Sequence, residues 1–284
     1  MKINQQAELK VKNLNILKNY LNVYFYETLS LLKIRSRLFN NKLNEMWYIR
    51  SFFLEIEHKY HQKSFFYYNN RNSEKNNFSC LYVYISEKLK LSGVSSEQHE
   101  LNLLKKLQKN DKLIVIGQAA IEFSEKYDLS PLLTFPKNQI EILGELKTLI
   151  YEYYLTGKVN EVKFVFVSDR LIDGDVTILP INKFVIRNDW NNNLNETVDI
   201  TKYHIYPNLN QFQDNLAAMY VESVIYGMIF EASFYLLKKR LLKIRNNINE
   251  VDKKISAWNY QIVKNRYEEI NNDIIITHQD DNNF

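Results

Sequence analysis

From Phe230 to the end of the chain, apolar side chains recur at a fixed alternating spacing. Phe230, Phe234, Leu237, Leu241, Ile244, Ile248, Val251, Ile255, Trp258 and Ile262 are separated by four and three residues in turn. No Gly or Pro interrupts them. That pattern predicts a helix packed along its length on a partner helix as a left-handed coiled coil. A helix running from about Leu209 to Asp273 would be about 95 Å long at 1.5 Å per residue. The other end of the chain shows the same period less cleanly. Leu14, Leu17, Leu21, Tyr24, Leu31 and Leu38 lie in one register, followed by a slip that brings in Leu43, Met46, Arg50 and Phe53. A slip of this kind alters the supercoil locally. Two long helices at opposite ends of one chain can pair antiparallel within the monomer; the alternative is that each pairs with a second copy.

Between the ends the period changes. Residues 79–86 (SCLYVYIS) alternate as a strand does, and 112–117 (KLIVIG) is a short apolar run closed by Gly117. Residues 162–169 and 175–181 flank the turn pair Asp173-Gly174. Helical patterns occupy 97–108 and 140–155. The order strand, helix, strand, helix, strand, hairpin strand predicts a Rossmann-like α/β domain with right-handed crossovers, inserted between the two coiled-coil helices. The expected organisation is a helix over 1–70, an α/β domain over 78–206 and a second helix over 208–284.

Composition agrees with this division. Six Gly and four Pro in 284 residues fall well below the roughly 20 and 14 of average usage. Every Gly lies between Gly93 and Gly227, and every Pro (Pro131, Pro136, Pro180, Pro207) between residues 130 and 208. Turn formers are therefore confined to the middle. A net charge of +4 is too small to mark a nucleic-acid binder on its own. Cys80 is the only cysteine, which excludes an internal disulfide and makes a reducing compartment the expectation. The longest apolar run, near Val224–Phe230, is much shorter than the roughly 18 residues of a membrane span, and the N-terminus has no signal-peptide core.

Catalytic chemistry does not assemble. Gly157-Lys158 is followed by Val159, and Glu152 stands where a phosphate-binding loop would begin with Gly. His58 and His61, beside Glu55 and Glu57, have a metal-like spacing that a solvated helix face explains more simply. Turn chemistry likewise accounts for Asp169, Asp173 and Asp175. Asn77 and Asn195 head glycosylation sequons that carry no weight in a cytoplasmic chain. No cofactor, metal or catalytic residue is expected.

The C-terminal helix carries a resemblance. Residues 220–232 (YVESVIYGMIFEA) are similar to the Y-[LV]-E-S-x-x-Y-x-x-x-x-E segment of the γ subunit of F-type ATPases, matching at Tyr220, Glu222, Ser223, Tyr226 and Glu231. Residues 240–245 then fall on that family's R-M-x-A-M-[KR], and Arg266, Ile270 and Asp273 on its terminal arginine, isoleucine and acidic positions. Residues 153–167 and 178–180 resemble its strand entry and L-L-P. The chain departs from the family at Ser86–Gly93, where little but the serine and a late glycine remains, and at Phe234-Tyr235-Leu236 and Tyr267.

The resemblance implies a non-catalytic central rotor shaft inside a hexameric ring of catalytic β-like and non-catalytic α-like subunits, with an ε-like or other subunit binding the foot. It implies no nucleic acid, and only indirect contact with the inner face of a membrane. Lys238, Lys239, Arg240, Lys243 and Arg245 place five positive charges in eight residues, which the resemblance assigns to acidic lever loops of the ring. It assigns Arg266 to contacts near the shaft tip. The AT-rich composition extends the expectation to a divergent F-type-like ATPase of a wall-less bacterium, a class in which some complexes are associated with gliding motility. The competing readings are a coiled-coil scaffold without motor partners, and a nucleic-acid binder in which Arg35, Arg37, Lys42 and Arg50 alternate with Phe39, Trp47 and Tyr48.

Overall fold

A computed structural model describes residues 2–68, 78–88, 96–137, 140–171, 174–187 and 199–281, of which 2, 3, 140 and 272–281 are described by backbone alone. Asn77, Asn195, the 89–95 segment and Asp173 lie outside the described residues. The chain opens with helix α1 (Lys2–Tyr60) and closes with helix α6 (Leu209–Asp281). The elements between are α2 (Phe65–Tyr68), β1 (Cys80–Ile85), α3 (Glu97–Lys106), β2 (Lys112–Ile116), α4 (Gln118–Lys126), β3 (Leu133–Phe135), α5 (Leu143–Leu155), β4 (Glu161–Val165) and β5 (Asp175–Leu179). Three of these, α2, α4 and β3, are absent from the pattern read in the sequence, which expected one helix over 1–70 where α1 ends at Tyr60. Each is too short to show a period, and β3 lies between Pro131 and Pro136.

Two compact units result. One takes in Met1–Leu31 and Lys238–Phe284; the other takes in Leu32–Lys90 and Val94–Leu237. Both terminal helices supply residues to each.

In the second unit the sheet runs in the order β3-β2-β1-β4-β5. β1 pairs in parallel with β2 and β4, β2 with β3, and β5 closes the edge antiparallel to β4. All six residues of β1 are buried, as expected of a central parallel strand covered on both faces. Its alternation sorts them. Leu81, Val83 and Ile85 join a core with residues of α1, α5 and α6, whereas Cys80, Tyr82 and Tyr84 pack with Leu103 of α3 and Phe123 of α4. The sheet is therefore the middle of three layers. Gly117 closes the β2–α4 turn at φ +96°, where a Cβ would lie 2.3 Å from the Ser86 carbonyl oxygen; only glycine fits there.

α6 contains a stretch long and apolar enough by composition alone to cross a membrane, but 72% of that stretch is buried within the protein. Burial in a core accounts for its apolarity.

Candidate functional site

The first unit is a helix pair, and its geometry follows from the spacing of its side chains. In α6, Leu241, Ile248, Ile255 and Trp258 are half-buried and Ile244, Val251 and Ile262 buried, while most residues between them are exposed. Ile244 and Val251 cluster with Leu21, flanked by Leu14, Phe25, Ile248 and Ile255. The contacts across the pair run antiparallel. Tyr24 meets Arg240, Lys18 meets Asp252, Lys10 meets Trp258 and Glu8 meets Arg266, so one number falls as the other rises. Asn4 continues the series to Asn265 and Glu269 at 3.2 and 3.3 Å.

α1 meets this seam in a register that differs from the sequence reading. Ala7, Val11, Leu14, Lys18, Leu21, Phe25 and Thr28 are buried or half-buried, again spaced by four and three, and Asn4, Asn22 and Leu29 beside them are half-buried. Leu17, Tyr24 and Leu31 are 46%, 46% and 41% exposed. The cause is that α1 has two apolar stripes, and the buried one includes a lysine and a threonine that an apolar count passes over. Thr28 is fully buried, with no hydrogen-bond partner for its hydroxyl among the described residues.

Of the five clustered cations, Lys238, Lys243 and Arg245 are exposed and Lys239 and Arg240 half-buried. At about 100° per residue they encircle the outer face and both flanks of α6 instead of forming one stripe. The Arg240 guanidinium sits 5.8 Å from the Tyr24 ring centroid. Arg266 donates from Nη2 to Glu8 Oε1 at 2.7 Å, an exposed pair worth about 0 to 1 kcal/mol.

Within the second unit, Phe230 and Leu237 are buried and Phe234 half-buried. The residues that carry the γ-like resemblance tie α6 to its neighbours. Tyr220 is buried in the core. Glu222 pairs with Lys147 of α5 at 2.5 Å, the Ser223 hydroxyl donates to Glu45 of α1 at 2.8 Å, and Tyr226 packs under Lys42 of α1. Glu231, 1% exposed, accepts from the Ser168 hydroxyl at 2.6 Å and lies 3.6 Å from Arg170, which stacks 4.5 Å from the Phe39 ring. Burial pulls the Glu45 carboxyl upward, but hydrogen bonds from Lys42 and Ser223 outweigh it and hold it below the ordinary value. Glu161, buried on β4, is held low in the same way by Lys183 and Lys163.

The remaining sequence candidates are dispersed. His61 lies beyond the end of α1 at φ 53°, off the helix that carries His58. Asp175 pairs with Lys106 at 2.6 Å. Most of the aromatic and basic residues weighed for nucleic acid are engaged internally, while Arg37 is exposed and Tyr48 is 46% exposed. Phe39 is 1% exposed, Trp47 packs edge-on to Phe184, and Arg50 donates to the Phe184 carbonyl at 3.1 Å.

No known protein-family profile matches the chain. An uncharacterized protein of Ureaplasma parvum serovar 3 is 34% identical over 197 residues, spanning 67% of this chain and 64% of its own length. The chain thus aligns with a little under two thirds of that relative. Among solved structures, a chain of the Euglena gracilis mitochondrial ATP synthase rotor covers 92% of this chain and 98% of its own, at 9% identity and a TM-score of 0.43. A chain of the Tetrahymena thermophila mitochondrial ATP synthase central stalk and c-ring covers 80% of this chain and 99% of its own, at 14% identity and a TM-score of 0.51. What this chain shares with the Tetrahymena chain is a fold: long helices at both ends and a small, mainly parallel sheet between them.

Proposed function

We propose that the chain is a γ-like central shaft of an F-type-like rotary ATPase. The observation that carries this reading is that the chain's own two ends form an antiparallel helix pair, in a fold shared with a chain of an ATP synthase central stalk and c-ring structure. A shaft of this kind does no chemistry. It presents an asymmetric surface to a ring of α-like and β-like subunits, whose catalytic sites change conformation in turn as it rotates. Its seam gives axial stiffness, each buried Leu or Ile contributing about 1.5 to 3 kcal/mol. Lys238, Lys239, Arg240, Lys243, Arg245 and Arg266 are its ring contacts. Exposed ion pairs worth about 0 to 1 kcal/mol each suit a surface that must release one partner loop and engage the next. The complex lies in the cytoplasm at the inner face of the membrane, with an ε-like subunit on the α/β domain. The finer assignment to a gliding motor rests on composition alone.

The test is affinity purification of the tagged full chain from its native cell. The expected result is co-purification of two P-loop ATPase subunits in excess over the tagged chain. Recovery of the chain as a homodimer alone would favour a scaffold, and salt-sensitive recovery of nucleic acid the third reading; either outcome refutes the shaft. In the purified complex, joint reversal of Lys239, Arg240 and Lys243 to Glu should lower ATPase turnover about fivefold at low salt, the sum of three weak pairs. Unchanged turnover with an intact circular dichroism spectrum would remove the electrostatic contact.

A further inference from the structure

The stripe that α1 leaves uncovered in the first unit has the pattern of a second seam. Leu17, Tyr24 and Leu31 recur every seven residues, with Tyr20 three after Leu17 and Val23 on the outer edge. All five are between 41% and 67% exposed. Lys10 continues the stripe seven residues before Leu17, its ammonium 4.2 Å from the Trp258 ring. The neighbouring edge of α6 is identified by Arg240 against Tyr24. Lys243 lies three residues beyond Arg240 and Lys254 two heptads beyond it, so all three follow that edge, and both lysines are exposed. Among the described residues neither lysine has a carboxylate at ion-pair distance. Glu27, Glu250 and Glu268 are the acids on the same side, and Glu268 pairs with Lys264, leaving positive charge in surplus. The opposite side of the pair is closed by Lys18–Asp252 and Glu8–Arg266.

We propose that this face docks a third helix, from a partner subunit, carrying an apolar heptad stripe with acidic residues along one edge. A seven-residue apolar repeat on a helix is matched by another helix. The cationic edge selects acidic flanks. A second copy of this chain would bring its own Arg240, Lys243 and Lys254 against the same three cations, which disfavours self-pairing. The inference stands on the first unit alone, and its failure would leave the co-purification test unaffected.

Two labelled peptides of about four heptads, identical in their apolar stripe but flanked by Glu in one and Lys in the other, are titrated into the full-length protein. The Glu peptide should bind about tenfold tighter than the Lys peptide and weaken with added salt. Leu17→Gln combined with Leu31→Gln should cost about tenfold, and Lys243→Glu with Lys254→Glu should reverse the preference while thermal melts stay unchanged. Because the charge pair is fully surface-placed, it tests the site even if the stripe variant melts early. Equal affinity for both peptides, binding unaffected by either variant, or sedimentation showing a homodimer that the stripe variant dissolves would each overturn the proposal.

Discussion

Leu17→Ala and Leu21→Ala remove the same atoms four residues apart on α1, so they test its register directly. Leu21 is 9% exposed and packs with Ile244 and Val251, whereas Leu17 keeps 46% of its surface in water. Helix propensity changes equally in both variants and cancels. A buried Leu contributes about 1.5 to 3 kcal/mol through its removal from water, so the difference in exposure alone favours Leu21 by about 1 kcal/mol. Truncating Leu21 also leaves a void beneath the opposing helix, whereas the space left by Leu17 opens to solvent. Core Leu→Ala changes cost about 2 to 5 kcal/mol in total, so Leu21→Ala should exceed Leu17→Ala by about 2 kcal/mol. Native-state hydrogen exchange of α6 amides facing Leu21 is the assay. Protection should fall about thirtyfold more in Leu21→Ala than in Leu17→Ala, at 1.4 kcal/mol per tenfold. Equal losses would refute the register and restore the one read from the apolar pattern.

Three further outcomes are expected. Thr28→Val keeps the shape of a fully buried side chain whose hydroxyl has no partner among the described residues; it should stabilise the helix pair by about 1 kcal/mol, and a lower melting temperature would contradict this. Glu161 has a carboxyl held below its ordinary value of 4.5 in the folded state. It therefore contributes stability above that value that is lost as pH falls through the folded pKa. The urea midpoint should drop on acidification below 4.5, and Glu161→Gln should flatten that limb; a wild-type midpoint independent of pH there would count against it. Gly227→Ala should raise stability by about 1 kcal/mol from helix propensity, because a Cβ there meets only Met46 and Lys42 atoms at 3.7 to 3.9 Å. Calorimetry showing destabilisation would reveal crowding that those distances do not show.

The long pattern at the end of the chain was legible as a helix, but not where its seam divides: Leu241 to Ile262 lie in the first unit, and Phe230, Phe234 and Leu237 in the second. The seam of α6 repeats ten times without a breaker, and its members are buried or half-buried in the two units. The residues read as similar to the γ subunit's Y-[LV]-E-S segment were legible as a motif, but their work was not. Glu222, Ser223, Tyr226 and Glu231 act on Lys147, Glu45, Lys42 and Ser168, partners between 63 and 184 residues away along the chain. No local pattern reports such pairings. Arg50 counted as a seam residue because of its spacing, and the structure gives it a carbonyl to bind and Trp47 to stack on.

The sequence by itself determined which of the longer segments are helix and which are strand, but not the short α2, α4 and β3, because backbone period is a local property written in side chains three, four or two residues apart and needs several repeats to show. It determined the confinement of turns to the middle of the chain for the same reason. Which face of α1 is buried was decided only by tertiary structure. α1 offers Leu17, Tyr24 and Leu31 on one stripe and Leu14, Leu21 and Phe25 on another. A period fixes spacing along a helix but not rotation about its axis. That rotation is set by the partner, and here α6 meets the stripe that brings Lys18 to Asp252 and leaves Leu17, Tyr24 and Leu31 partly in water.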